Sequence, residues 1–156
     1  MKALFAGTFD PPTLGHLDLI DRACRLFEHL IVGIPDEGGK GLFSPAQRLE
    51  MMKRVVAHLP RVEVASFSGL TAEYARRREV TVLLRGVRST VDFEYEKGLT
   101  LSNRRINGYE TLYLLSSGAH AYTSSAIIRD IARAGGDLRP FVPEVIVEEV
   151  AAQFRR

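Results

Sequence analysis

Short apolar runs alternate with longer amphipathic stretches along the chain. Five of these runs predict strands, at 2–6, 30–34, 62–67, 81–84 and 111–115. Between them, apolar residues recur at the three- and four-residue spacing of helices that bury one face. Because the strands are mostly apolar and are separated by helices, they are expected to be parallel and covered on both faces. The pattern predicts the α/β fold class.

Several residues mark where helices begin and end. Helices are predicted at 13–28, from Pro45 to about Leu59, at 71–78, at about 91–106, before Gly135-Gly136 and from near Pro143. The clearest start is Ser44-Pro45-Ala46-Gln47, which combines an N-cap serine, a proline at the first helical position and a glutamine three residues after the cap. Right-handed crossovers then give a Rossmann-like, doubly wound, five-stranded parallel sheet with helices on both faces and C-terminal helices. Ligands of such sheets bind beyond the carboxyl ends of the strands, where the strand order reverses.

Composition narrows the class of protein. A chain of 156 residues is predicted to form one domain, 1–156, with its own core. The formal net charge of +2 is too close to neutral to favour a nucleic-acid or anionic membrane partner. Cys24 is the single cysteine and falls in step with apolar helix positions, so it is predicted to be a core residue. No run is long enough to span a bilayer, and a cytoplasmic protein is expected.

The segment GTFDPPTLGH, residues 7–16, predicts a binding site after the first strand. Gly7 lets the backbone leave the strand, Pro11 and Pro12 fix the next bend, and Gly15 keeps the start of the helix free of bulk. Free N–H groups and the helix dipole at such a start favour phosphate. His16 would then lie beside that phosphate. Gly and Pro are also common in ordinary turns, and a histidine at a helix start is often a cap.

This segment resembles the GTFDPxTxGH signature of the cytidylyltransferase-like nucleotidyltransferases. The resemblance implies an enzyme that catalyses attack on the α-phosphate of a nucleoside triphosphate and releases pyrophosphate. It also implies that His16 contacts the triphosphate and stabilises the transition state, with Thr8 close to both the nucleotide and the attacking phosphate.

Three further segments are similar to one branch of that superfamily, the bacterial phosphopantetheine adenylyltransferases. They are LLRGVRSTVDFEYE at 83–96, YTSSAIIRDIARAGGDLRPFVPEVI at 122–146, and SGLTAEYA around Leu70. Arg85, Gly86 and Arg88 follow the fourth predicted strand and are expected to lie on a tight turn. From their spacing alone, Arg85 and Arg88 suit either phosphate binding or pairing with the acidic residues that follow. A leucine such as Leu70 is explained equally well as a core residue.

The resemblance implies transfer of the adenylyl group of ATP to 4′-phosphopantetheine, which gives 3′-dephospho-coenzyme A and pyrophosphate. Catalytic roles are implied for His16, Thr8, Lys40 and Arg88. Phosphopantetheine-binding roles are implied for Thr8, Lys40, Leu70, Thr71, Arg85 and Asn103. ATP-binding roles are implied for Thr8, Phe9, His16, Gly86, Val87, Arg88, Glu96, Tyr122, Thr123, Ser124, Ser125 and Ala126.

The chain departs from the branch at a few positions. Leu14 stands where Asn is usual, Ala126 replaces a third serine, and the loop 35–43 is shorter and more acidic and keeps only Lys40. No protein ligand set for a metal is expected. Mg²⁺ would be held mainly by the phosphates of ATP. The resemblance also implies a homohexamer and feedback binding of coenzyme A.

Two other functions stay open. A nicotinate-mononucleotide adenylyltransferase shares the opening motif, and SSAIIR leans towards it, but Thr13 replaces the first histidine of that motif. A nucleotide-binding module without turnover is the second alternative. The presence of His16, Lys40, Arg85 and Arg88 together speaks against it.

Overall fold

The strands assemble into one parallel sheet in the computed structural model, which describes residues 1–36 and 41–155. Within those residues the strands are β1 (Lys2–Ala6), β2 (His29–Pro35), β3 (Val62–Phe67), β4 (Val82–Val87) and β5 (Thr111–Leu115). Their order is β3-β2-β1-β4-β5. The chain winds outward from β1 to β3 and then returns to β4 on the other side, so the order reverses between β1 and β4. The predicted fold class is confirmed.

Helices connect the strands and complete the C-terminal part. They are α1 (Leu14–Leu26), α2 (Pro45–Val55), α3 (Thr71–Arg77), α4 (Thr90–Asn107), α5 (Ser125–Arg133) and α6 (Glu144–Ala152). The predicted capping box at Ser44 and Gln47 is present at the start of α2. After α5 the chain takes a left-handed conformation at Gly135, with φ of 72°, which explains why glycine ends this helix. No helix in the described ranges is long and apolar enough to cross a membrane.

The prediction for β4 was too short. It ended the strand at Leu84 and placed Arg85 and Gly86 on a tight turn, whereas both lie in β4 and pair with Tyr113 and Leu114 of β5. The glycine is there for packing. A Cβ on Gly86 would clash with the end of the Leu19 side chain in α1, so glycine leaves the space that this buried leucine occupies.

The core lies on both faces of the sheet, but unequally. Alternate residues of β1 point to opposite faces, so Ala3 and Phe5 join a large cluster with α1, α2, α5 and α6, while Leu4 and Ala6 join a smaller one with α3. Cys24 is half-buried against the large cluster, as expected for a small core residue. Helix α4 differs, because none of its residues is buried.

Candidate active site

A cavity of about 380 Å³ opens at the carboxyl ends of β1 and β4, where the strand order reverses. We call it the larger cavity. Four segments contribute its polar lining: the turn after β1, the first turn of α1, the end of β4 and the start of α5. Their lining residues include Gly7, Thr8, Phe9, Thr13, Gly15, His16, Arg85, Gly86, Arg88, Thr123, Ser124 and Ser125. The sheet topology therefore brings together motifs that lie more than a hundred residues apart in the sequence.

The turn after β1 is fixed from behind by hydrogen bonds to its carbonyl groups. Arg48 Nη1 donates to the Thr8 carbonyl at 2.8 Å, and Arg129 Nη1 donates to the Asp10 carbonyl at 2.8 Å. Ser125 Oγ donates to the Pro11 carbonyl at 3.0 Å. Carbonyl oxygens repel phosphate, so occupying them with donors favours anion binding at the turn.

Asp10 ties this turn to the segment that leads into α2. Its side chain is buried and accepts hydrogen bonds from the backbone N–H groups of Leu42, at 2.7 Å, and Phe43, at 2.9 Å. A Cβ on Gly41 would lie 3.0 Å from Asp10 Oδ2, so the two segments are in close contact. A buried carboxylate with charge-assisted bonds of this kind holds both segments in one register.

His16 lines the larger cavity and also caps α1. The Thr13 side chain accepts from the His16 backbone N–H, and the Thr13 backbone N–H donates to His16 Nδ1, both at 3.1 Å. Since a backbone N–H can only donate, Nδ1 is the acceptor and the neutral ring carries its proton on Nε2. Burial, and secondarily the positive charge of Arg88, lower the pKa of His16 to about 4. The ring is therefore neutral near pH 7 and offers an Nε2–H donor.

Both arginines of the larger cavity are paired with carboxylates of α4. Arg85 donates from Nε and Nη2 to Glu96, at 2.6 and 2.5 Å, and from Nη1 to the Ala6 carbonyl at 2.7 Å. Arg88 Nε donates to Asp92 at 2.8 Å, and its Nη1 donates to the Thr123 carbonyl at 3.1 Å. The pairing that the sequence left open is thus present, and it fixes the orientation of both guanidinium groups.

The hydroxyl-rich start of α5 divides its tasks between neighbouring residues. Ser124 is the N-cap, and its Oγ accepts from the Ile127 backbone N–H at 3.2 Å. Ser125 instead fixes the turn after β1, while Thr123 contributes its carbonyl to Arg88. All three line the larger cavity, and the first N–H groups of α5 lie beside them.

A second cavity, of about 280 Å³, lies between α3, α4 and the sheet, and we call it the smaller cavity. Half of its lining residues are aliphatic, and most of the others are neutral polar side chains. The aliphatic residues are Leu4, Ala6, Leu70, Leu83, Leu84 and Leu99, and the neutral polar ones are Thr71, Thr100, Asn103 and Thr111. Arg85 and Glu96 are its charged lining residues within the described chain, and both also line the larger cavity.

Comparison with known proteins identifies the family. The family model described as cytidylyltransferase-like matches residues 4–131. The chain belongs to the cytidylyltransferase-like family. It is 39% identical over 151 residues to a phosphopantetheine adenylyltransferase of Nautilia profundicola, a match that covers 96% of this chain and 98% of the relative. Proteins of the same name from two Synechococcus strains, RCC307 and CC9311, are 40% and 41% identical, with 100% and 99% of this chain covered and 95% and 98% of those relatives.

Most of the residues singled out by the family resemblance meet at the two cavities. The smaller cavity is lined by Leu70, Thr71 and Asn103, and both cavities are lined by Arg85 and Glu96. The larger cavity is lined by Thr8, Phe9, His16, Gly86, Arg88, Thr123, Ser124 and Ser125. Leu70 is 55% exposed, so the alternative of a core leucine is wrong. Val87 is buried and Ala126 and Tyr122 are exposed, and none of these three lines either cavity. Lys40 lies outside the described residues.

Several lining residues of this family member were not predicted. Asp92 and Tyr95 from α4, Ser116 after β5 and His120 line the larger cavity, and Leu99 and Thr100 line the smaller one. The four-residue spacing from Arg88 to Asp92 was a usable signal, since it places the two side chains within reach at a helix start. Of the two supporting arginines, Arg48 carried no motif signal, whereas Arg129 ends the SSAIIR segment, in which only the serines and Ala126 had been assigned roles.

Proposed function

We propose that the chain is a phosphopantetheine adenylyltransferase, which transfers the adenylyl group of ATP to 4′-phosphopantetheine. The observation that carries this proposal is the pair of adjoining cavities with different linings. The larger one is lined by two arginine–carboxylate pairs, hydroxyls and helix N-termini, and the smaller one by leucines and neutral polar side chains, and both share Arg85 and Glu96. The names of the relatives, at about 40% identity over nearly the full chain, support the same activity.

In the proposed reaction the two cavities hold one substrate each. A terminal phosphate oxygen of the acceptor forms a new bond to the α-phosphorus of ATP. The bond from that phosphorus to the bridging oxygen breaks in line, and its electron pair leaves with pyrophosphate. No covalent enzyme intermediate is needed, because positioning and electrostatic stabilisation supply most of the catalysis in phosphoryl-type transfers.

His16 would act as a neutral hydrogen-bond donor. Its Nδ1 is held by Thr13, so the Nε2–H donor has a fixed direction before substrate binds. We assign it to the oxygens around the α-phosphorus, where negative charge develops. Arg88, with Ser124 and Ser125 at the start of α5, would bind the leaving pyrophosphate.

The smaller cavity suits the body of the acceptor. Phosphopantetheine has a phosphate at one end of a chain that carries neutral amides and a thiol. The leucines favour burial of the chain, and Thr71, Thr100 and Asn103 offer hydrogen bonds to amide groups. Arg85 lies at the boundary with the larger cavity, where the acceptor phosphate would meet ATP. We further assign Lys40 and Thr8 to that phosphate.

A magnesium ion would accompany ATP. Among the described residues, no three His, Cys, Asp or Glu side chains form a group that could hold a metal. The carboxylates that line the larger cavity, Asp92 and Glu96, are occupied by arginines. We therefore propose that Mg²⁺ is bound mainly by the triphosphate, where it would neutralise charge on the β- and γ-phosphates.

We also propose self-association, with a hexamer as the state implied by the family resemblance. Helix α4 has no buried residue, and Val91, Leu101 and Ile106 on it are 57 to 77% exposed. On β5, Leu115 is 64% and Leu112 is 47% exposed. Exposed apolar residues in this number are typical of an interface. Sedimentation of the purified protein as a monomer would contradict this. We also propose that the protein is cytoplasmic and that coenzyme A binds to it as a feedback ligand.

The test of the activity compares acceptors. The protein is incubated with MgATP and either 4′-phosphopantetheine or nicotinate mononucleotide, and pyrophosphate release is measured. We expect pyrophosphate release with phosphopantetheine and none with nicotinate mononucleotide. Release with nicotinate mononucleotide instead would support the rival adenylyltransferase, and ATP binding without any release would support a binding module.

A further inference from the structure

Arg85 and Glu96, together with Ala6, form the part of the wall that the two cavities share. The guanidinium group donates to both carboxylate oxygens at 2.5 and 2.6 Å, and the exposed fractions of the two side chains are 29% and 13%. A bidentate pair with this little exposure is held in one geometry and is only weakly screened by water. Its orientation is further fixed by the bond from Arg85 Nη1 to the Ala6 carbonyl.

The pair leaves Arg85 able to bind a second anion. A guanidinium group has five N–H donors, and Glu96 and Ala6 together use three of them. Two donors, one on each terminal nitrogen, have no partner among residues 1–36 and 41–155. A phosphate can therefore bind Arg85 without displacing Glu96, provided that the phosphate arrives in the direction that Glu96 imposes.

The charge of the pair matters for selectivity. Within the described chain, Arg85 and Glu96 are the charged residues lining the smaller cavity, so the charge contributed by its lining is close to zero. A small free anion gains little Coulomb energy from an arginine that is already neutralised, and it also meets the Glu96 carboxylate. A phosphate attached to a chain that fills the leucine-lined cavity gains the burial energy of that chain as well.

We propose that Glu96 is a specificity-determining residue that acts through Arg85. It orients the guanidinium group at the boundary between the cavities and cancels its charge. Free phosphate and similar small anions are thereby rejected at Arg85, while a phosphate carried by an occupant of the smaller cavity is accepted there. This inference rests on the proposed function for the identity of the accepted phosphate, but the rejection of free anions does not depend on turnover.

The experiment measures binding of inorganic phosphate by calorimetry to the full chain and to four variants. Glu96→Gln removes the charge and should tighten phosphate binding by about tenfold or more, because a facing like charge is lost. Glu94→Gln is the matched control. It removes the same charge from the same helix at a side chain that is 64% exposed, pairs with Lys97 and lines neither cavity. It should leave phosphate affinity unchanged. The double variant Glu96→Gln/Arg85→Gln should lose the gain, which would place the bound phosphate on Arg85.

A fourth variant separates charge from orientation. Glu96→Asp keeps the negative charge but is one methylene shorter, so phosphate binding should stay weak while kcat/KM for the acceptor falls. No tightening in Glu96→Gln, or tightening that persists in the double variant, would overturn the proposal, as would full kcat/KM for the acceptor in Glu96→Asp. Absence of pyrophosphate release from the unaltered chain would reject the proposed function, whereas the calorimetric result would still decide the effect of Glu96 on phosphate.

Discussion

The two cavities differ in how they are built. The larger one is built from the ends of strands and helices: the turn after β1, the first turns of α1 and α5, and the last residues of β4. The smaller one is made from the sides of elements, with leucines of β1 and β4 facing α3 and α4. The first suits a polyanion because N–H groups and hydroxyls meet there, and the second suits a less charged body. In a site for two phosphorylated molecules, strong anion binding is therefore needed only in the larger cavity.

The largest effect should come from His16 in the larger cavity. His16→Ala removes the fixed Nε2–H donor, and turnover should fall by about 10²- to 10³-fold, as for loss of one transition-state donor. ATP binding measured by calorimetry should change little. His29→Ala is a suitable control, because that imidazole lies at the start of β2, away from both cavities, and pairs with Glu63. Full turnover in His16→Ala would remove the residue from catalysis.

The next effect should separate the cavities by their arginines. Arg85→Gln should raise KM for the acceptor by roughly ten- to a hundredfold with a much smaller change for ATP, because a charge-assisted bidentate contact is lost. Arg88→Gln should raise KM for ATP more than KM for the acceptor, since Arg88 lines the larger cavity and not the smaller one. Steady-state kinetics with each substrate varied in turn would measure the split. An equal rise in KM for both substrates in either variant would contradict the assignment of Arg85 to the acceptor and Arg88 to ATP.

A pH effect on stability should also be specific to the larger cavity. Folding lowers the pKa of His16 from 6.5 to about 4, so the unfolded chain binds more protons between these values. The contribution of His16 to stability is therefore fully present above pH 6.5 and is lost as the pH falls towards 4, by at most about 1.4 kcal/mol per pH unit. Urea unfolding across this range should have a smaller pH slope in His16→Gln. An unchanged slope would show that His16 titrates normally in the folded protein.

The smallest effect should come from the neutral polar lining of the smaller cavity. Asn103→Ala should raise KM for the acceptor several-fold, because one neutral hydrogen bond is worth about 1 kcal/mol. KM for ATP should stay the same, since Asn103 does not line the larger cavity. Ser102→Ala, a change at the neighbouring exposed position on α4 whose hydroxyl donates to the Gly98 carbonyl, is the matched control. A larger effect from Ser102→Ala than from Asn103→Ala would argue against the assignment.

The difference between the cavities also explains what the sequence could predict. The larger cavity is lined by contiguous segments, such as residues 7–16, whose glycines, prolines and single histidine stand out when read in order. The smaller cavity draws single leucines and threonines from five elements, and nothing about Leu83 or Thr111 distinguishes them from core residues before the sheet forms.

Two other features were beyond sequence reasoning for physical reasons. Gly86 indicated a turn, but its role depends on the approach of Leu19 from α1, a contact between distant segments. The choice between phosphate binding and carboxylate pairing for Arg85 depended on which way α4 faces. The structure shows the pair formed, with donors left over, so the two interpretations are compatible.

Helix α4 has a consequence for both arginines of the site. One side of the helix supplies the carboxylates that orient Arg85 and Arg88, while Val91, Leu101 and Ile106 on the same helix are open to solvent. Because one helix sets the direction of both arginines, a substitution that displaces α4 would disturb acceptor binding and nucleotide binding together.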